Sequence, residues 1–356
     1  MHFLCTTVVI LFLMGAQQGY SEPEVFWINM NSSTARRDHI IKHFSSLNIT
    51  KHHRIEGVDP TKFVFYPGVL ENYNNLSYCE IPSVSFLRPN RTDVFARKYD
   101  PSKPIHVAIA CGRRLNTLRE LACTISHLIA MYEAVTSNDT EPYALITEDD
   151  IHFAFKIKFD EMVRTAPKKH AILQLLTSNE RRINYLWDIF IERNGRKFWM
   201  KRPLISIIEQ DYWCTGAYLI KKETLRGILQ HIIYVRNDGS LEVRIIAGFS
   251  RPCFPPECCP NQEKKLYNVV VQDPPCVYAP RGFAADDFLY SLAPTFVLMS
   301  PLFTDYDYMN STSTVHQHDV KKYMKGFKSI ADKMDIMRKN KTNLLPFFAE
   351  EYSTNP

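Results

Sequence analysis

Three consecutive acids, Glu148, Asp149 and Asp150, end a segment that begins with an apolar run at residues 143–146. An apolar run of strand length that ends in acids is the usual way in which an open α/β sheet presents a metal or phosphate site. Adjacent carboxylates repel one another and tolerate burial poorly, so a cation is their natural partner. Oxygen ligands alone favour a hard ion such as Mg²⁺ or Mn²⁺. The alternative is an acidic turn that caps the following helix.

Two arginines lie near the first predicted strand. Arg36 and Arg37 occupy the first turn of a predicted helix, directly after the turn that follows residues 25–28. The helix dipole disfavours cations in a first turn, whereas an anion bound at the same turn favours them. The pair therefore indicates an anion site, and the alternative is two solvated surface arginines.

Apolar periodicity predicts the elements that must position these side chains. Strands are predicted at residues 25–28, 54–59, 105–110, 171–176 and 295–299, within residues 143–150 before the acidic end, and within residues 213–220, where a glycine-containing turn enters a strand. Helices are predicted at residues 34–47, 115–135, 221–231, 284–290 and 320–339. Strands that alternate with helices indicate an α/β sheet of mixed or parallel order.

The last predicted helix, residues 320–339, is basic and amphipathic. Met324, Phe327, Ile330 and Met334 share one face, which favours docking on the core over a role at a membrane surface.

Length and composition leave the class of protein broad. The chain has 356 residues, of which 45% are hydrophobic, and this suffices for one large domain or two small ones. The net charge of +5 suits a small anionic substrate and does not require a nucleic-acid partner.

The amino-terminal residues and the sequons indicate the secretory pathway. Residues 1–21 contain a short apolar run followed by small residues, which predicts a signal peptide, with a retained type II membrane anchor as the alternative. Asn-X-Ser/Thr sequons occur at Asn31, Asn48, Asn75, Asn90, Asn138, Asn310 and Asn340. We therefore expect a glycoprotein of the endoplasmic reticulum or Golgi lumen, or a secreted one.

Eight cysteines remain after the leader, and an oxidising lumen would convert most of them to disulfides. Four of them lie in a Pro-rich segment, residues 251–280, which we expect disulfides to hold: Cys253, Cys258, Cys259 and Cys276. The alternative is a zinc knuckle, which the absence of a Cys-X-X-Cys pair disfavours.

Five segments together resemble glycosyltransferase family 25, which includes lipooligosaccharide and collagen galactosyltransferases. In order, they are residues 28–31 with 35–37, residues 120–127, residues 145–150, residues 215–220, and Asp286-Asp287-Phe288-Leu289 before a strand that ends at Pro301. Residue 122 is alanine where the family usually has glycine. The resemblance covers residues 25–303, and it does not extend to the Cys/Pro-rich insertion at residues 251–280.

The resemblance implies a GT-A-like, Rossmann-type α/β fold, with a mixed sheet and helices on both faces. The implied organisation is a glycosyltransferase domain at residues 22–310 and a carboxyl-terminal tail at residues 311–356. Within it, Asp149 and Asp150 would bind Mn²⁺ or Mg²⁺.

The implied activity is that of an inverting, metal-dependent hexosyltransferase. The donor would be a nucleotide sugar, with galactose from a UDP-sugar as the expected case, and the acceptor a protein or glycan hydroxyl. Asn29, Arg36, Arg37 and Glu148 would contact the donor or support its site. Asp286 or Asp287 would act as the base that takes the acceptor proton.

The sequence also allows two other classes of function. A binding or adhesion protein could keep the fold without turnover, because a fold alone does not settle activity. A metal-dependent hydrolase on an α/β sheet would bind a metal and water without affinity for a nucleotide.

Overall fold

The structure is a computed structural model. It describes residues 22–65, 95–110, 118–153, 155–193, 197–202, 212, 214–230, 232–247, 264–266, 269–271, 278–279, 285–305, 320–339 and 348–351. The predicted leader, the sequons other than Asn31, Asn48 and Asn138, and the four cysteines of the Pro-rich segment lie outside these residues.

The strands are β1 Glu24–Asn29, β2 His52–Glu56, β3 Phe63–Phe65, β4 Ile105–Ala110, β5 Tyr143–Glu148, β6 Ile151–Phe153, β7 Phe155–Ile157, β8 Ile172–Gln174, β9 Trp199–Lys201, β10 Ala217–Lys221, β11 Ile233–Val235, β12 Leu241–Ala247, β13 Lys264–Leu266, β14 Val269–Val271, β15 Tyr278–Ala279, β16 Thr295–Leu298, β17 Phe303–Asp305 and β18 Phe348–Glu351. The helices are α1 Thr34–Ser46, α2 Leu118–Thr136, α3 Phe159–Thr165, α4 Glu180–Glu192, α5 Lys222–Leu229, α6 Ala285–Ser291 and α7 Val320–Lys339.

A seven-stranded mixed sheet of order β2-β1-β5-β10-β8-β16-β9 forms the centre of the fold. β1 pairs in parallel with β2 and β5, and β16 pairs in parallel with β8. β10 runs antiparallel between β5 and β8, and β9 is antiparallel at the edge. The mixed α/β architecture predicted from the sequence is thereby confirmed.

Successive side chains of each strand point to opposite faces of this sheet, and each face packs into its own hydrophobic core. Phe26 and Ile146 face one core, which also contains buried residues of α2, α5 and α6. Val25 and Trp27 face the other core, which also contains buried residues of α1, α3, α4 and α7. Helices therefore cover both faces of the sheet, as expected.

A second sheet packs in the same core as α2. The expectation of a single sheet was therefore wrong. β4 matches its predicted bounds, but it pairs with β3 and β12 in a five-stranded sheet with β11 and β15. Ile105 and Val107 of β4 pack in the same core as α2. The sequence indicated a strand there, but not its partner, because β12 lies more than 130 residues further along the chain.

One other expectation also differs from the structure. The Pro-rich segment contains a short antiparallel pair, β13 and β14, where little regular structure was expected. Cys123 and Cys214, the two cysteines within the described residues, are free thiols. Cys123 lies on α2 and Cys214 in the turn before β10, and both are partly buried. The other six cysteines after the leader lie outside the described residues, so the expectation that most of the eight are oxidised stays a prediction.

The carboxyl-terminal helix α7 has the predicted bounds and packs on α4. Its apolar face buries Phe327, Ile330 and Met334, as the docking interpretation predicts. Gly326 lies against the backbone of Ser178, and a Cβ atom added there would be 1.8 Å from the Ser178 carbonyl oxygen. Within the described residues, no helix is both long and apolar enough to cross a bilayer.

Candidate functional site

The candidate residues meet where the carboxyl ends of β1 and β5 lie, at one edge of the central sheet. The parallel strands β1 and β5 end side by side with Asn29 and Glu148. Because β10 runs antiparallel to β5, its beginning reaches the same edge, and Glu148 N donates to Gly216 O at 2.9 Å. The turn before β10 therefore joins the acids that follow β5.

Asp149 is held between two segments of the chain. Asn29 Nδ2 donates to Asp149 Oδ2 at 2.6 Å, and Arg36 Nη1 donates to Asp149 Oδ1 at 3.3 Å. Asn29 is itself oriented, because it accepts from Arg54 Nε at 3.0 Å and donates to Ser33 O at 3.0 Å. The turn after β1 is thus fastened to the turn after β5 through a carboxylate.

Arg36 joins the two aspartates through a single atom. Its Nη1 lies 3.3 Å from Asp149 Oδ1 and 3.2 Å from Asp150 Oδ2. Asp149 is buried, whereas the side chains of Arg36 and Asp150 remain 25% and 21% exposed. Burial raises the pKa of Asp149, and the hydrogen bonds from Asn29 and Arg36 oppose that rise.

Glu148 is held by a separate set of contacts. Thr215 Oγ1 donates to Glu148 Oε1 at 2.7 Å, and His127 Nε2 lies 3.4 Å from the same oxygen. The other ring nitrogen of His127, Nδ1, is 3.0 Å from the hydroxyl of Tyr218 on β10. Burial raises the pKa of Tyr218 well above its usual value, and the Glu148 charge adds to that effect. Glu148 is therefore oriented from α2 and from the turn before β10.

The two acids of α6 point to different neighbours. Asp286 Oδ2 accepts from Cys214 N at 3.4 Å, which places Asp286 beside the turn before β10. Asp287 Oδ1 lies 3.6 Å from Arg202 Nη2. Arg202 is buried, and it also donates to Asp286 O at 3.0 Å and to Gln174 Oε1 at 2.8 Å. The structure thus separates Asp286, next to the turn, from Asp287, in an ion pair.

Two partly buried thiols show that the acids share one region. Burial raises the pKa values of Cys123 and Cys214 well above their usual value, and the charges of Glu148, Asp150 and Asp286 all add to both shifts. Cys214 also adopts a φ of 102°, which is unusual for a residue other than glycine. Strained backbone of this kind is concentrated at functional sites.

A divalent cation fits the pair of aspartates. One oxygen of each lies within 3.3 Å of the same positively charged nitrogen, so the two oxygens already converge on a cationic centre. No group of three or more His, Cys, Asp or Glu residues in the described ranges has the arrangement of a metal site. Mg²⁺ and Mn²⁺ commonly take only one or two carboxylates, and complete their coordination with water and substrate phosphates.

Sequence reasoning placed most of these residues at the site but missed some contacts. Arg37 lies beside Arg36 on α1, and within the described part of the chain it forms no ion pair with Asp149 or Asp150. Ser126 of the Ser126-His127 pair is structural, because its Oγ accepts from Val58 N at 2.9 Å. No pattern in the sequence indicated that Arg202 belongs to the site, because only folding brings it to α6.

Comparison with known proteins identifies the family. The family model described as "Glycosyltransferase family 25 (LPS biosynthesis protein)" matches residues 22–240, which is more than half of the chain. The matched range contains Asn29, Arg36 and the three acids after β5, and it ends before α6. No curated protein matches the chain.

Proposed function

Because the chain belongs to glycosyltransferase family 25, we propose that it transfers a hexose from a nucleotide sugar to a hydroxyl group of a protein or glycan. We propose that galactose from a UDP-sugar is the transferred group and that the fold is of the GT-A type. The observation that carries this proposal is the convergence of Asp149 Oδ1 and Asp150 Oδ2 on one cationic atom at the sheet edge. A departing diphosphate needs positive charge at such a position.

The proposed donor site combines cations from two sources. A divalent ion, Mn²⁺ or Mg²⁺, held by Asp149 and Asp150 would supply Lewis-acid stabilisation to the leaving diphosphate. Arg36 lies beside the aspartates, Arg37 follows it in the first turn of α1, and guanidinium groups suit the remaining phosphate charge. Asn29 orients Asp149 through its 2.6 Å hydrogen bond, and Glu148 lies beside the pair as a support.

Asp286 is the better of the two candidate bases. In the proposed inverting step the acceptor oxygen forms a bond to the anomeric carbon, and the bond from that carbon to the diphosphate oxygen breaks. The acceptor proton passes to a carboxylate. Asp286 lies beside Cys214 and shares its surroundings with Glu148, whereas Asp287 is paired with the buried Arg202. This contrast supports Asp286 as the proton acceptor.

A second candidate function is that of a binding or adhesion protein without turnover. The observation that favours it is that both oxygens of Asp149 are already engaged, one by Asn29 and one by Arg36. Such a site would be partly neutralised without a metal. The two functions differ in a measurable way, because only the transferase requires metal-dependent binding of a nucleotide.

Calorimetric titration with uridine diphosphate, with and without Mn²⁺, tests the proposal. Metal-dependent binding supports the transferase, and the absence of binding with Mn²⁺ present favours the binding protein. A screen for hydrolysis of nucleotide sugars then identifies the donor. The Asp150→Asn variant serves as a negative control in both assays.

We also propose that the enzyme works in the endoplasmic reticulum or Golgi lumen, or is secreted. The sequons at Asn48 and Asn138 support this location, because both side chains are exposed. Treatment of protein from a eukaryotic host with an N-glycan-removing enzyme should increase its gel mobility. An unchanged mobility would contradict the secretory assignment.

A further inference from the structure

We propose that Arg36 is an internal counter-ion that occupies the place of the cation between Asp149 and Asp150 and exchanges with the metal ion when the site is loaded. The inference rests on the proposed function, because it assigns a loading step to the same site. It concerns the order in which the metal ion and the donor bind at the site. Arg36 would thus compete with the metal ion for the aspartate oxygens, and it would also contact the nucleotide-sugar donor.

Arg36 places one nitrogen between the two aspartates, where a metal ion would otherwise lie. A single nitrogen, Nη1, contacts one oxygen of each aspartate at nearly equal distances, 3.3 and 3.2 Å. A metal ion that joins two carboxylates occupies the same kind of position, although at about 2.1 Å from each oxygen. The helix dipole disfavours a cation in this first turn, so the acids rather than the helix hold Arg36 in place.

The guanidinium and the metal ion cannot use these two oxygens together. Each would place a full positive charge within a few ångströms of the other, and like charges at that distance repel strongly. The other oxygen of Asp149, Oδ2, already accepts the short hydrogen bond from Asn29. Entry of the metal therefore requires the side chain of Arg36 to leave.

Once released from the aspartates, Arg36 could bind the diphosphate of the donor. Its side chain is 25% exposed, so rotation of the flexible chain toward solvent does not require the core to open. A guanidinium binds phosphate oxygens in a planar, bidentate manner. Exchange thus frees Arg36 to bind the diphosphate of the donor, which implies that metal binding precedes donor binding.

The proposal predicts opposite effects on two affinities when Arg36 is replaced. In Arg36→Met, Mn²⁺ binding without nucleotide should tighten about fivefold or more, because an ion-pair competitor is gone. Binding of uridine diphosphate at saturating Mn²⁺ should weaken by a similar factor. Electron paramagnetic resonance of free Mn²⁺ measures the first affinity, and calorimetry measures the second.

Two further variants separate exchange at the aspartates from a general effect of charge. Arg37→Met removes the same charge from the same helix turn without touching the aspartate oxygens, so its Mn²⁺ affinity should change much less. Arg36→Lys keeps the charge but not the fork, and its Mn²⁺ affinity should fall between those of the wild type and Arg36→Met. Melting curves establish that each variant is folded.

The outcomes that overturn the proposal are distinct from failure of the proposed function. Weaker or unchanged Mn²⁺ binding in Arg36→Met would show that Arg36 organises the acids instead of competing for them. An equal gain in Arg37→Met would indicate a long-range charge effect, and no Mn²⁺ binding by the wild type or Arg36→Met would remove the site. Mn²⁺ binding without nucleotide binding would contradict the transferase alone.

Discussion

The hydroxyl of Thr215 donates a 2.7 Å hydrogen bond to Glu148 Oε1, which joins the turn before β10 to the last residue of β5. His127 approaches the same oxygen at 3.4 Å from the buried helix α2. Two elements distant in sequence thus fix one carboxylate beside the candidate metal ligands. The position of Glu148 depends on these contacts as much as on β5.

Replacement of Thr215 tests this contact. Thr215→Val keeps the shape but removes the donor, whereas Thr215→Ser keeps the hydroxyl. A hydrogen bond to a charged group contributes about 1.5–3 kcal/mol, so we expect transfer by Thr215→Val to fall about tenfold or more. Thr215→Ser should stay near the wild-type rate. Equal rates for the two variants would show that the hydroxyl has no role in the reaction.

Asp150→Asn should abolish transfer while the fold stays intact. Asparagine is nearly isosteric but lacks the charge that attracts the cation, and the rate should fall on the order of 10²–10³-fold. The Mn²⁺-induced rise in melting temperature should disappear. Asp160→Asn, on the surface of α3 and paired with Arg164, removes one acid charge as a control. A metal-induced melting shift that persists in Asp150→Asn would remove Asp150 from the site.

The two acids of α6 should differ in their effect on catalysis. Asp286→Asn removes the proposed base, and kcat should fall by about 10²–10⁴-fold with little change in donor affinity. Asp287→Asn breaks the ion pair with Arg202 and should act mainly on stability, with a smaller loss of kcat. Steady-state kinetics with each variant decides between them. A reversed order would transfer the role of base to Asp287.

The protein should lose stability as the pH falls below about 6.5. Burial, with the neighbouring His152 and His39, lowers the pKa of His43 from 6.5 to about 3. His43 Nε2 accepts a 2.9 Å hydrogen bond from Phe153 N, which requires the neutral ring. Between these pH values the unfolded chain therefore binds more protons than the folded one, so the free energy of unfolding decreases toward acid.

The variant His43→Gln isolates this contribution, because its amide oxygen can accept the same hydrogen bond without titrating. The loss of stability between about pH 6.5 and pH 4 should become smaller, by at most about 3 kcal/mol. Chemical denaturation across this range gives the slope. An unchanged slope in the variant would show that other groups cause the acid sensitivity.

Gly326→Ala should disrupt the docking of α7. A Cβ atom at this position would lie 1.8 Å from the Ser178 carbonyl oxygen, so helix and core must separate. We expect a loss of about 1–3 kcal/mol or more and faster proteolysis of α7. Gly227→Ala on α5 is the matched control, because its Cβ meets nothing within 4 Å, and helix propensity predicts a gain of up to about 1 kcal/mol.

The sequence predicted the local elements better than their assembly. β4, α7 and the acidic end of β5 followed from apolar periodicity, because that signal lies within a few residues. The helix α4 was missed although Ile183, Leu186 and Phe190 are buried at helical spacing and Asn179 caps its amino end. That signal was available in the sequence.

Other parts of the site could not be predicted from local patterns. Arg202 reaches α6 across 84 residues of the chain, and His127 reaches Tyr218 across 91. Such contacts depend on the order of strands in the sheet, which no local pattern encodes. The choice between Asp286 and Asp287 likewise required the positions of Cys214 and Arg202.

The antiparallel direction of β10 determines where variation in the chain can alter specificity. In a wholly parallel sheet, segments that follow the strands surround the ligand. Here the residues just before β10 reach the site, while α5 after it lies toward the opposite edge. Substitutions in the turn from Cys214 to Gly216 would therefore retune substrate choice, and a library for altered acceptor use belongs there.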